Sequence, residues 1–127
     1  MVRAWLLLAV FFAFTGVGMG AFAAHALKSQ LAPEYLAVLQ TGVHYQMLHA
    51  LALLGLALLA RQLPGRWLWA AGNLFTLGIV LFSGSLYALT LSGVSALGMI
   101  TPLGGVAFLA GWLCLGVHAW RLTPTVS

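Results

Sequence analysis

The chain has 127 residues, 63% of them hydrophobic and 5% charged, with five basic side chains, one acidic side chain and a formal net charge of +4. Soluble domains run at roughly 45–50% apolar and about 25% charged residues, so this composition excludes a soluble globule and predicts one all-α domain, residues 1–127, embedded in a membrane. The charges stand singly, which argues against nucleic acid as a partner, and the lone Cys114 excludes an internal disulfide or a multi-cysteine metal cage.

The first apolar stretch runs over about 4–24. Arg3, the apolar run and Ala21-Phe22-Ala23 resemble a secretory signal with its cleavage site. The run is nonetheless long enough to cross a hydrocarbon core of about 30 Å, so a retained transmembrane helix is expected. Gly16, Gly20 and Ala24 recur every fourth residue, a small-xxx-small seam for close helix contact within or between chains. In residues 25–41, Pro33 and Glu34 suit the first turn of a helix, and Tyr35, Leu36 and Leu39 can share one apolar face. A short interfacial helix is expected there, leading into span two and either separate from it or continuous with it.

Span two covers about 42–60 and is followed by RQLPGR (61–66), whose Pro-Gly turn predicts an antiparallel hairpin with span three at about 67–89. Residues 90–102 carry no charge and are expected to lie along the membrane surface. Span four follows at about 103–120, with Thr101 as the expected cap and Pro102 at the first helical position. Gly104, Gly105 and Gly111 thin it for packing. Unbroken apolar runs require helices rather than a barrel, giving a four-transmembrane-helix bundle. Arg3, Arg61, Arg66 and Arg121 fall on one side and Lys28 with Glu34 on the other, which predicts cytoplasmic termini and a cytoplasmic 61–66 turn. Four of the five tryptophans lie near predicted span ends; Trp112 lies deeper and reads as a packing residue.

Two polar stripes interrupt the oil. Span two carries Tyr45, Gln46 and His49 beside Gly42, and span three carries Asn73, Thr76, Val80, Ser83, Tyr87 and Thr90 at i, i+3, i+7 spacing. Lipid offers these groups no partner, so the stripes are expected to face each other, with Gln46 or His49 bonding Ser83 or Tyr87. An ionisable residue inside a membrane is a functional hypothesis by default. His49 could relay protons, ligate a metal or hold a quinone-like head group; the plainer expectation is a neutral imidazole bonded to Tyr87, Ser83 or a carbonyl. His44 reads as a wetted outer-side residue, and His25 could approach it or His49 from the end of span one. His44 and His49 are five apart and diverge by roughly 140° on a helix, poor geometry for one shared ion. Cys114 and His118 supply only two ligands, so neither metal nor cofactor is expected.

The chain has no aspartate, and its single glutamate lies in the connection between spans one and two. It also lacks a phosphate loop, a dinucleotide fingerprint and a nucleophile elbow, so no enzymatic activity is expected. The expected role is that of a non-catalytic accessory or scaffold protein that forms oligomers or complexes with membrane-protein partners in contact with membrane lipid. The alternative is a small-molecule or proton carrier, or a lipid or quinone binder, that uses the stripes of spans two and three.

GAFAAHALK (20–28), YQMLHALALL (45–54), FSGSLYAL (82–89) and TPLGGVAFLAGW (101–112) together resemble a family of small bacterial inner-membrane proteins. It is catalogued as domain of unknown function 423, with a eukaryotic relative called transmembrane protein 256. The resemblance implies a compact polytopic protein of the bacterial inner, or cytoplasmic, membrane. It implies no activity and no catalytic residue.

Overall fold

A computed structural model describes residues 2–122. Helix α1 spans Val2–His25 and α2 spans Pro33–Gln62. The third span is composite: α3 (Arg66–Gly78), a π-helical turn (Ile79–Ser83) and α4 (Gly84–Ser92). A 3-10 turn (Ser95–Met99) leads into α5 (Thr101–Arg121). Among the described residues, four helices are long and apolar enough to cross a membrane. The fold is that of an all-α polytopic membrane protein.

The stretch expected to form an interfacial helix is helical from Pro33 and runs into span two without a break. At 1.5 Å per residue this 30-residue helix is about 45 Å long, more than a bilayer core requires. Gly42 does not break it, because one glycine costs a helix only about 1 kcal/mol. The projecting part is also anchored: Leu39 is fully buried with Ala23 and Leu27.

α1 packs along α2, α5 packs along α3, and α2 meets the π-helical turn and α4. Glycines set the closest approaches. A Cβ on Gly16 would lie 2.5 Å from Met47 Sδ, and one on Gly20 would lie 3.3 Å from Val43. The seam of α1 then continues within the chain through buried Ala23, while Ala24 is exposed. Fourth-residue spacing drifts by roughly 40° per step on a 3.6-residue helix, so contact passes from position 20 to 23 and then to Leu27. On α5, Gly104 lies against the Phe82 backbone and Gly111 against the Phe75 ring, whereas a Cβ on Gly105 would lie 4.0 Å from Phe82, an ordinary contact.

Two details differ from expectation. Thr101 is the first residue of α5, not its cap, and its hydroxyl bonds Ser85 Oγ at 2.6 Å. Trp5, expected at the interface, is buried against Gly72, where a Cβ would lie 2.5 Å from the indole. Gly93 ends α4 at φ 75°, a left-handed cap that glycine adopts without strain, and its N–H donates to Leu89 O at 2.8 Å. Arg3, Arg61, Arg66 and Arg121 all fall at one end of the helices, and Lys28 and Glu34 at the other.

Candidate functional site

Two polar centres lie where α2 meets its neighbours. The first is built around Gln46, which is buried on α2. Its Nε2 donates to Phe12 O and to Thr15 Oγ1, both at 2.8 Å. Its Oε1 accepts the Tyr87 hydroxyl at 2.6 Å. A carbonyl can only accept, so the Phe12 contact fixes which way the amide points. One side chain thereby ties α1 and α4 to α2. One turn away, buried Ser83 donates to Gly42 O at 2.7 Å. Gly42 permits this approach, since a Cβ there would lie 2.8 Å from the Tyr87 ring.

The second centre is His49, which is 2% exposed. Its ring stacks on Phe108 with centroids 3.7 Å apart and meets Phe75 edge-on at 5.3 Å. Both nitrogens are engaged. Nδ1 lies 2.8 Å from Tyr45 O, and Nε2 accepts the Trp112 indole N–H at 3.0 Å. The carbonyl can only accept and the indole can only donate. The geometry therefore selects a neutral imidazole with its proton on Nδ1. Such a ring cannot bind a metal or pass a proton without first losing Trp112.

Trp112 thus does more than fill space: it is 43% exposed and supplies the donor to His49. Its spacing from the other polar residues gives no hint of this, because the pairing joins α2 to α5. Beside it, a cleft of about 480 Å³ opens between α2 and α5, walled by Tyr45, Phe82, Pro102, Leu109 and Trp112 with His49 at its base. Tyr45 is 37% exposed and packs on Phe82 with centroids 4.6 Å apart.

The stripe of span three does not keep one face. Ser83, Tyr87 and Thr90 turn inward, whereas Asn73 and Val80 are exposed. The cause is the π-helical turn, whose wider i→i+5 winding rotates α4 relative to α3. Thr76 and Asn73 bond only to their own helix, at Gly72 O and Trp69 O. His25 and His44 are both exposed. Among the described residues no cluster of three or more His, Cys, Asp or Glu side chains forms a metal cage. Cys114 is a half-buried free thiol on α5.

The family described as "Protein of unknown function (DUF423)" matches residues 19–105. The membrane protein YwdK of Bacillus subtilis is 47% identical over 119 residues, 93% of this chain and 97% of its own. The inner membrane protein YgdD of Escherichia coli K12 is 42% identical over 120 residues, 94% of this chain and 92% of its own. The membrane protein SERP0230 of Staphylococcus epidermidis is 43% identical over 114 residues, 90% and 93% of the two chains. No solved structure matches the chain.

Proposed function

Because this chain belongs to the DUF423 family, whose relatives carry the designation UPF0382 membrane protein, we propose that it is a non-catalytic scaffold that self-associates in the bacterial inner membrane. Asn73 carries the reading. It lies about 10 Å along α3 from Arg66, within the apolar span, and is exposed on the outer face with Trp69, Leu77 and Val80. Its Nδ2 donates to Trp69 O at 3.0 Å, and among the described residues no group donates to its Oδ1. Hydrocarbon leaves that oxygen bare, and an amide from a second copy satisfies it. Interhelical polar contacts of this kind contribute about 0.6–2 kcal/mol each. Asn73→Leu is therefore expected to weaken association in bilayers roughly 3- to 30-fold without changing helix content. Energy transfer between labelled protomers at graded protein-to-lipid ratios measures this, and equal association of wild type and variant would contradict the reading.

The interior supports a structural role. Gln46, Tyr87, Ser83 and His49 engage one another, backbone carbonyls and Trp112. Polar groups consumed in this way offer a carrier no open sites, which weighs against a proton or small-molecule path along the stripes and against an enzyme. The cleft beside His49 favours a second reading, a lipid- or quinone-like ligand against Tyr45 and Trp112. Quenching of Trp112 fluorescence by a brominated isoprenoid, abolished by Gly105→Leu in the cleft wall, would support it; no quenching would count against it.

The arginine end faces the cytoplasm in this account, following the bias of basic residues. A membrane-impermeant thiol reagent added to intact cells should label a cysteine replacing Ser29 and spare one replacing Gln62. The opposite pattern would invert the topology.

A further inference from the structure

Where the 62–66 turn, the start of α3 and the end of α5 meet, a cleft of about 340 Å³ is lined by Gly65, Arg66, Trp67, His118 and Arg121. Two buried polar atoms of these lining residues, Trp67 Nε1 and His118 Nε2, have no partner among the described residues. Buried polar groups are normally satisfied, so each is an exception that calls for an explanation. His118 is 94% buried, being 6% exposed, and its ring rests on Gly65, where a Cβ would lie 3.0 Å from Cε1 and Nδ1. The Arg66 guanidinium lies over the Trp67 ring, 5.6 Å from its centroid. α3 also begins here with no side-chain cap on its first backbone N–H groups. The only acidic side chain of the protein, Glu34, starts α2 at the opposite end. A second, apolar groove of about 470 Å³ shares Arg66 and Trp67 with the cleft and continues past Trp69 and Ala70.

We propose that the cleft binds the phosphate of an anionic phospholipid and that one acyl chain of the lipid lies in the adjoining groove. The lining presents the guanidinium donors of Arg66 and Arg121 and helix-start amides, with the Trp67 and His118 rings completing the wall and their unpartnered nitrogens buried. A phosphodiester presents acceptors and a negative charge, matching them in kind. The ammonium of a zwitterionic lipid meets no carboxylate among the described residues of the cleft, so phosphatidylglycerol or cardiolipin fits better than phosphatidylcholine. Basic pockets at helix ends on the cytoplasmic face are suited to such head groups. The groove separates a lipid from free phosphate, which would leave it empty.

The test uses the full chain in nanodiscs of equal parts phosphatidylglycerol and phosphatidylcholine, with retained lipid read by native mass spectrometry. Wild type should retain phosphatidylglycerol over phosphatidylcholine by roughly tenfold, in line with the attraction expected of basic residues at the membrane surface. R66Q/R121Q should bring the two lipids near parity, and R3Q/R61Q, with the same charge loss at the same end, should keep the preference. If the double variant loses helix content, Arg121→Gln alone, at the exposed end of α5, should show most of the same loss. Three results would overturn the proposal: no preference in wild type, an equal loss in R3Q/R61Q, or displacement of the lipid by millimolar inorganic phosphate. The first two deny the site, and the third makes it one for free phosphate.

Discussion

A histidine inside a membrane helix has two nitrogens that must each find a partner, and His49 finds one within its own helix and one on α5. That arrangement predicts a nitrogen NMR signature in lipid: a protonated Nδ1 and a bare Nε2 that accepts a hydrogen bond. Trp112→Phe should move the Nε2 resonance toward that of a free imine nitrogen and leave Nδ1 protonated. A proton found on Nε2 in the wild type would refute the assignment. The inward placement of Gln46 and His49 was legible from the sequence, because lipid gives an amide or imidazole nothing to bond. Their partners were legible in part, Tyr87 for Gln46 and a carbonyl for His49, while those on α1 and α5 were not. Gln46 reaches α1 through Phe12 and Thr15, and His49 reaches α5 through Trp112. No periodicity along one helix encodes which neighbour stands opposite. Trp112 read as a packing residue because an indole N–H, hidden inside an apolar ring system, does not mark its residue as polar.

The third span shows how one local irregularity redirects a whole stripe. Helical spacing places Asn73, Ser83 and Tyr87 together only if the winding is uniform from end to end. The π-helical turn at Ile79–Ser83 breaks that condition, sending Asn73 outward and Ser83 and Tyr87 inward. The same turn passes close to α5, where Gly104 lies against the Phe82 backbone. A backbone atom cannot swing aside as a flexible side chain can. Gly104→Ala is therefore expected to destabilise the protein by about 1–3 kcal/mol, the usual cost of overpacking. Gly116→Ala, with nothing within 4 Å of the added carbon, should be neutral or stabilising by up to about 1 kcal/mol. Reversible unfolding in mixed micelles compares the two, and equal effects would contradict the packing described. The number of spans was legible because length and hydropathy fix it, and the 61–66 hairpin because a short Pro-Gly turn marks it. The unbroken course of α2 was an open alternative, since its anchor, Leu39 against Ala23 and Leu27, is a tertiary contact.

At the scale of the molecule, the helices meet through an apolar core, and Gln46, Ser83 and His49 within it have their hydrogen bonds made, which leaves the outer faces for contact with other molecules. α3 presents Asn73 among Trp69, Leu77 and Val80, while the later half of α2 exposes Leu51, Leu54 and Leu58 with no polar side chain among them. Self-association through α3 is the central claim, and single-cysteine crosslinking in native membranes tests it most directly. With Cys114 replaced by alanine and Asn73 kept, cysteines at Trp69, Leu77 or Val80 should yield disulfide-linked dimers, and cysteines at Leu51, Leu54 or Leu58 should not. Dimers absent from the α3 positions, or formed equally at the α2 positions, would contradict the account.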